Sequence, residues 1–216
     1  MLVPALKTPS SVKLLDAAVT AIRHQGFAGT TVDEICQAAG LSKGAFFHHF
    51  KSKEDLAFAA AEHFATRADA LFDAAPFMRL ADPRARVLAY IEFRKSILKG
   101  EPGDFTCLLG TIVQEAHETH PALRDACGAH IGDHAARIAR DIEAAKAIHA
   151  PGATWSPRSL ALFTQAVLQG AFVLAKANHG PEIAAECLDH LSDYIERLLP
   201  TDEAATQPIR GARSQE

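Results

Sequence analysis

Apolar residues recur every three to four positions along most of this 216-residue chain, and this helical spacing constrains its fold most strongly. The first such stripe consists of Val12, Leu15, Val19 and Ile22. Alternating β-branched and aromatic residues, which are typical of strands, are scarce, whereas alanine is abundant. Because 48% of the residues are hydrophobic, the chain can bury a core. The sequence therefore predicts an all-α fold of about nine helices.

Glycine, proline and capping residues predict where these helices begin and end. Gly26 is expected to end the first helix in a left-handed conformation, and Gly40 to end the second. Ser156 and Pro157 have the residue types of an N-cap and a first turn. The helices predicted after the first span about 32–39, 43–49, 53–75, 83–99, 105–117, 121–148, 157–178 and 181–198.

The composition argues against several classes of protein. The net charge of −4 neither favours nor opposes nucleic acid, because a sequence-specific binder needs only a local basic face. None of the four cysteines forms a C-x-x-C pair, so no metal or other cofactor is expected. A secretory leader and a run of roughly 20 apolar residues are both absent, which predicts a cytoplasmic protein without a membrane partner. Nucleophile-elbow, P-loop and dinucleotide motifs are also missing, so no catalytic residue or enzymatic activity is expected.

Residues 30–49 contain two short predicted helices with well-defined ends. Thr31 followed by Glu34 is typical of a capping box that opens the first of them. Gly40-Leu41-Ser42 forms the connection, in which Gly40 permits a tight bend and Ser42 caps the second helix. Two helices joined in this way are the helix-turn-helix plan, whose second helix enters the DNA major groove.

The stretch TTVDEICQAAGLSKGAFFHHFKSKEDL, residues 30–56, resembles the signature of the TetR family of transcriptional regulators. The resemblance covers residues 11–56 closely. It implies a homodimer that binds palindromic double-stranded operator DNA, usually as a repressor, and that a small-molecule effector releases. The implied organisation is a flexible arm (1–10), a helix-turn-helix domain (11–52), a C-terminal bundle for ligand binding and dimerisation (53–199) and a disordered tail (200–216).

The resemblance also implies which residues face DNA. The family usually has tyrosine where Phe47 stands, so a hydroxyl contact with phosphate is lost and Phe47 either packs inward or lies at the groove. Phe46 and Phe50 are expected in the core. The predicted DNA-binding residues are Thr31, Ser42, Lys43, Gly44, Ala45, Phe47, His48, His49 and Lys53, with Thr31 and Lys53 at phosphates.

Two apolar stripes on the last two predicted helices suit dimerisation, since a helix pair with such stripes can form a four-helix contact across a two-fold axis. The family builds its interface in this way. The alternative is that the stripes face the protomer's own core, and both arrangements are compatible on different faces. The predicted interface residues are Leu160, Phe163, Val167, Gly170, Leu174, Leu188, Leu191 and Ile195.

The middle helices combine apolar side chains with a few polar ones, as small-molecule sites do. In the family, an effector bound here shifts the long fourth helix and changes the spacing of the two recognition helices. A pure interaction module without a ligand is the competing interpretation. The predicted ligand-binding residues are Phe93, Ile97, Cys107, Leu108, Thr111, Ile112, His134 and Gln169.

Cys107 supports an alternative function, a repressor that senses oxidants or electrophiles. It stands at the expected start of a helix, where a thiol can become more reactive. The competing interpretation is a small packed residue. His117 with His120 and His130 with His134 have helical ligand spacings. Residues 115–120 are not an H-E-x-x-H motif, and Pro121 places His120 at a helix end, so no metal site is expected.

Overall fold

The computed structural model describes residues 8–201; most of the predicted arm and nearly all of the predicted tail lie outside them. In this part of the chain ten α-helices and one 3₁₀ turn follow one another without a strand, which confirms the all-α prediction. The 3₁₀ turn spans Pro76–Arg79. The helices are α1 Pro9–Gly29, α2 Val32–Ala39, α3 Lys43–His49, α4 Lys53–Asp73, α5 Pro83–Ser96, α6 Pro102–Phe105, α7 Leu108–Ala116, α8 Pro121–His149, α9 Pro157–Ala177 and α10 Glu182–Leu198.

The helix ends show where local sequence signals were sufficient to predict the bounds of a helix. Helices α2 and α3 have the predicted bounds. Helix α1 begins at Pro9, because the Thr8 hydroxyl accepts the Ser11 N–H, so the last two residues of the predicted arm are helical. Gly26 interrupts α1 with φ +86°, as expected of a glycine, but another turn follows it. The helix predicted at about 105–117 corresponds to α7, and the short separate helix α6 before it was not predicted.

Buried apolar side chains form two clusters. The N-terminal core joins α1–α3 and the first half of α4 to α7 and the start of α8. The C-terminal core joins the end of α4 to α5, α9, α10 and the rest of α8. Helix α4 contributes Leu56 and Ala60 to the first core and Phe72 to the second. Any shift of α4 therefore disturbs both cores, and packing does not divide at the predicted domain boundary after residue 52.

Helix α9 corrects the expectation that no segment is long and apolar enough to span a membrane. By length and composition it is the one helix in residues 8–201 that passes this test, and 44% of its most apolar window is buried inside the protomer. Polar Thr164, Gln165 and Gln169 interrupt its apolar run, so the sequence contains no unbroken stretch of about 20 apolar residues. Helix α9 packs against α8 and α10 on one side and leaves apolar side chains exposed on the other.

Candidate DNA-binding surface and sensor cavity

Hydrogen bonds within a few residues hold the helix-turn-helix. The Thr31 hydroxyl accepts the Glu34 N–H at 3.2 Å, and the Glu34 carboxylate accepts the Thr31 N–H at 2.8 Å. The bonds that its carboxylate accepts from the Thr31 N–H and the Thr31 hydroxyl lower the pKa of the Glu34 carboxyl. Gly40 has φ +64°, and Ser42 Oγ accepts the Ala45 N–H at 3.2 Å. The predicted capping box, turn and second cap are thus all present.

The outer face of α3 presents small, cationic and aromatic groups. Lys43 and Gly44 are exposed, and Lys43 Nζ lies 2.7 Å from Asp33 Oδ1 on α2. Phe46 is completely buried, whereas Phe47 is 59% exposed and touches the edge of the Phe46 ring. Of the two arrangements considered for Phe47, the structure therefore shows the outward one.

His48 and His49 have different surroundings although they are neighbours on α3. His48 is exposed, whereas His49 is half-buried and its Nε2 lies 2.7 Å from the Ser10 hydroxyl at the start of α1. Their rings meet edge to face with centroids 4.9 Å apart. His49 thus links the recognition helix to α1, and His48 has the freer side chain.

Lys53 has a structural role that the sequence did not reveal. Its ammonium donates to the carbonyl oxygens of Phe27 at 2.9 Å and Thr30 at 3.0 Å, with Ala28 at 3.4 Å. It also lies 4.6 Å from the centre of the Phe27 ring. Lys53 therefore ties the start of α4 to the end of α1. A phosphate contact by Lys53 stays a prediction, and it would compete with these bonds.

A cavity of about 950 Å³ opens between α1, α4, α5, the α6–α7 connection and α9. It contains two of the predicted ligand-binding residues, Ile97 and Cys107. Its other apolar lining residues are Val19, Phe64, Ala68, Ala70, Leu71, Phe72, Phe105 and Phe172. Its polar and charged lining residues are Asp16, Thr20, Arg23, His63, Arg67, Arg94, Asp104 and Thr106. We call this space the sensor cavity.

The remaining predicted ligand-binding residues are divided among other places. Thr111 and Gln169 line a neighbouring cavity of about 200 Å³ that also contains Cys107. His134 lines a third cavity of about 250 Å³, beyond Phe72. Phe93 packs against the Phe72 and Phe77 rings.

Leu108 and Ile112 are corrections to the predicted ligand site. Both are completely buried and belong to the N-terminal core, because α7 packs this face against α1. Their apolar character therefore stabilises the contact between the DNA-binding module and the bundle, and neither lines a cavity described above.

A buried polar network borders the third cavity. The Tyr90 hydroxyl lies 2.9 Å from His134 Nε2, and the same hydroxyl accepts the Gln165 Nε2–H at 3.5 Å. Burial lowers the pKa of His134 to about 3, with Arg94 and Arg137 adding to the effect. The imidazole is therefore neutral near pH 7. Within residues 8–201, no three His, Cys, Asp or Glu side chains are grouped to hold a metal ion.

Arg23 connects α1 to the wall of the sensor cavity. Its Nε donates to the Thr106 carbonyl at 2.7 Å, and its Nη2 donates to the Asp104 carbonyl. Burial lowers the pKa of the Arg23 guanidinium. A second link comes from Glu115 on α7, whose carboxylate accepts the Ala28 N–H at 2.8 Å. The DNA-binding module is thus hydrogen-bonded to the segment that carries Cys107.

The predicted dimer residues separate into two groups. Leu160, Leu188, Leu191 and Ile195 are at most 5% exposed and lie in the C-terminal core, so they cannot offer area to a partner, and this half of the prediction is corrected. Phe163, Gly170 and Leu174 are exposed, and Val167 is half-buried. Phe163 contacts exposed Tyr194, with ring centres 5.3 Å apart and the rings tilted by 60°. The apolar surface that these exposed residues form with Leu162 and Val173 is called the α9–α10 face.

Comparisons with known proteins agree with this geometry. Residues 14–60 match the family model for bacterial regulatory proteins of the tetR family, and residues 83–191 match the model for a tetracyclin repressor-like C-terminal domain. The chain is 27% identical over 173 residues to the transcriptional regulator AcuR of Cereibacter sphaeroides, covering 80% of this chain and 68% of AcuR. A match to YerO of Bacillus subtilis, an HTH-type transcriptional regulator, is 42% identical over 52 residues but covers only 24% of this chain and 18% of YerO.

Solved structures show the same fold. A crystal structure of a regulatory protein TetR from Rhodobacter sphaeroides superposes with a TM-score of 0.76 at 24% identity, over 89% of this chain and all of that chain. Some of the relatives that share shorter matches are named as transcriptional repressors. Since the two family models together span the helix-turn-helix and most of the C-terminal bundle, this chain belongs to the TetR family of transcriptional regulators.

Proposed function

We propose that this protein is a repressor that binds a palindromic operator as a homodimer and dissociates when a small molecule occupies the sensor cavity. The observation that carries the proposal is the course of α4. Its first half packs under the helix-turn-helix through Leu56 and Ala60, and its last turns line the cavity through Leu71 and Phe72. One rigid element therefore joins the two sites, as coupling between a ligand and DNA requires.

The proposed DNA surface is the exposed side of α3 together with the N-termini of α2 and α3. Free backbone N–H groups in the first turns of these two helices favour phosphate, which suits a position of the N-cap residues Thr31 and Ser42 beside phosphates. Lys43, Gly44 and Phe47 then face the major groove, with Ala45 beside them. His48 extends the same surface. We place this regulator in the cytoplasm, where such a protein meets its operator.

The proposed dimer forms through the α9–α10 face. Phe163, Leu162, Val173, Leu174 and Tyr194 are each 44–47% exposed in the protomer, although large apolar side chains are normally covered. Exposed Gly170 lies among them, which permits two α9 helices to approach closely. A second copy of the same face would bury this surface across a two-fold axis.

Effector release follows from the links between the cavity and α1 and α4. A ligand that moves Phe72 displaces the end of α4, and one that moves the α6–α7 connection displaces the Arg23 bonds to Thr106 and Asp104. Either change alters the orientation of the recognition helix, and the two half-sites no longer match. Coupling of about 1–3 kcal/mol would be sufficient for such a switch.

Selection of bound duplexes from a random pool tests the DNA-binding part of the proposal. A palindromic site with two half-sites is expected, because a two-fold dimer presents two α3 helices. A double variant, Lys43→Ala with Phe47→Ala, is the control and should enrich nothing, since both exposed side chains can be removed without opening the core. Recovery of a single half-site, or of no site, from the unchanged protein would contradict the proposal.

Cys107 favours a second candidate function, a repressor released by alkylation or oxidation. Its half-buried thiol lines both the sensor cavity and the neighbouring cavity, and Sγ accepts the Gly110 N–H at 3.5 Å in the first turn of α7. Lys176 lines the second of these cavities beside it. By contrast, Cys127 is buried, which raises its pKa to about 12.

Iodoacetamide treatment of the full-length protein tests this second candidate. Alkylation is expected first at Cys107 and is expected to release the operator, because the added group occupies the cavity. Cys107→Ser should keep the operator bound under the same treatment, whereas the control Cys187→Ser, also at a half-buried cysteine, should behave like the unchanged protein. Release that persists in Cys107→Ser would exclude this function.

A further inference from the structure

Arg94 stands in the sensor cavity without an acidic partner. Its guanidinium carbon lies 5.3 Å from the centre of the Phe72 ring and 5.6 Å from that of Phe172. It also interacts electrostatically with the Tyr90 hydroxyl on the same helix. None of the ion pairs formed among residues 8–201 includes Arg94. A cation is thus held among aromatic rings where an opposite charge is missing.

The acidic side chains of the cavity are already occupied. Asp16 lies 2.8 Å from His63 Nε2 and accepts from Arg67 at 2.6 Å. The Asp104 carboxylate accepts the Glu101 N–H at 2.9 Å and lies 3.2 Å from His24 Nε2. Neither carboxylate neutralises Arg94, so the cavity provides a guanidinium with in-plane N–H groups to spare.

The geometry around Arg94 suits a carboxylate in particular. Rings from α4 and α9 lie near the guanidinium and restrict its orientation, as stacked arginines are restricted. The N–H groups lie at the edge of the guanidinium plane, where a carboxylate can accept two parallel hydrogen bonds. Phe72 comes from α4, so an anion bound here would act directly on the helix that carries Leu56 and Ala60.

Thr106, which also lines the cavity, has an unsatisfied hydroxyl. The residue is 1% exposed, and its hydroxyl is the one buried side-chain polar atom in the described residues that has no hydrogen-bond partner. Buried hydroxyls nearly always have a partner, because an unsatisfied one costs free energy. Thr106 lines both the sensor cavity and the neighbouring one. Because this oxygen has almost no accessible surface, a molecule in the cavity does not reach it in this structure.

We propose that the effector is an organic carboxylate with an apolar or aromatic body, which pairs with Arg94. This rests on the proposed function of the cavity as the effector site. Val19, Phe64 and Ile97 supply an apolar surface for the body, and about 950 Å³ accommodates a small organic molecule. An amine would meet Arg94 and Arg23 as like charges, and a neutral molecule would leave Arg94 desolvated and unpaired.

Calorimetric binding to the full-length protein tests the proposal without DNA. The probes are 3-phenylpropanoate and hexanoate, each compared with its own amide, and 3-phenylpropylamine. Each carboxylate is expected to bind at least about tenfold more tightly than its amide, because it alone neutralises Arg94. The amine is expected to bind most weakly. Amides that bind as tightly as their carboxylates would overturn the proposal.

Three variants locate the effect. Arg94→Gln should abolish the preference for carboxylate over amide, and Arg94→Lys should reduce it, because the charge stays but the planar fork is lost. Thr106→Val keeps the side-chain shape and should leave the carboxylate preference intact. The control Arg158→Gln removes an exposed cation at the start of α9 and should change nothing. If Arg94→Gln does not fold, by circular dichroism, Arg94→Lys decides; an undiminished preference in the folded variant refutes the proposal.

Operator release then separates this inference from the proposed function. Carboxylate binding that depends on Arg94 but leaves the operator bound would support the effector class and contradict release. Release by carboxylate and amide at equal concentrations would support the regulator and contradict the effector class.

Discussion

The helix-turn-helix and the C-terminal bundle of this protein are held together in different ways. In the helix-turn-helix, bonds between residues three or four apart define both helices and the turn, as between Thr31 and Glu34. In the bundle, the contacts that shape the cavities join distant residues. Tyr90 meets His134, 44 residues away, and Gln165, 75 residues away.

This difference teaches where function can be read from a sequence. A local motif constrains DNA binding because its caps and turn need particular residue types at fixed spacings. A ligand cavity has no such spacing, since the helices that line it meet only after folding. The four predictions below test this contrast, and they are ordered by expected effect.

The largest effect is expected on the α9–α10 face, which lies outside the helix-turn-helix and the sensor cavity. Phe163→Asp should dissociate the dimer and weaken operator binding roughly 10²- to 10⁴-fold, because two linked half-site contacts become single ones. Sedimentation and operator titration measure the two changes. The control Ile148→Asp alters a 63% exposed residue at the end of α8. Equal loss in both variants would remove this face from the interface.

The next effect concerns the pH dependence of the bundle. Burial lowers the pKa of His134 to about 3, below the unfolded value of 6.5, so the unfolded chain binds the proton more tightly. The contribution of neutral His134 to stability is full above pH 6.5 and declines by up to about 1.4 kcal/mol for each pH unit below it, towards pH 3.

Urea unfolding of His134→Gln between pH 7 and pH 4.5 measures this contribution. The variant should lose less stability on acidification than the unchanged protein, since glutamine does not titrate. His117→Gln, at an exposed position, controls for removing one histidine. Parallel pH profiles for His134→Gln and the unchanged protein would show that the Tyr90 network does not hold a neutral imidazole.

Lys53 tests whether the DNA-binding module depends on a distant contact. Lys53→Met should lower the free energy of unfolding by about 1–3 kcal/mol, because the carbonyls of Phe27 and Thr30 lose a charged donor. Thermal unfolding measures the change, with the exposed neighbour Lys51→Met as control. Unchanged stability with a reduced salt dependence of operator binding would instead favour the phosphate contact inferred from the sequence.

The smallest effects are expected in the turn itself. Gly40→Ala should cost about 1–2 kcal/mol, since φ +64° is left-handed. Gly44 lies inside α3, and the methyl group that Gly44→Ala adds would lie 3.6 Å from Ser42 Oγ, an ordinary contact. The free energy of unfolding should therefore rise by roughly 0.5–1 kcal/mol. Operator affinity of Gly44→Ala should fall if α3 approaches the groove at this point. Equal stability of the two variants would show that Gly40 is not a strained position.

Much of the fold was predictable, and the candidate sites were predictable in part. Helices α2 and α3 have their predicted bounds, and Phe46 and Phe50 are buried as expected of core residues. Ile97 and Cys107 do line the sensor cavity. Arg94 was not predicted, because a charged residue on a predicted helix is ordinarily solvated, and nothing in the sequence brings Phe172 to it.

The sequence by itself determined the all-α class and the helix-turn-helix, because helical spacing, caps and the φ of Gly40 are local properties. It also determined that α9 and α10 carry apolar stripes. Only the tertiary structure decided which side of each stripe is covered: Leu188 and Ile195 face the protomer's own core, whereas Phe163 faces outward. The physical reason is that burial depends on which helices pack together, and periodicity states only that a face is apolar.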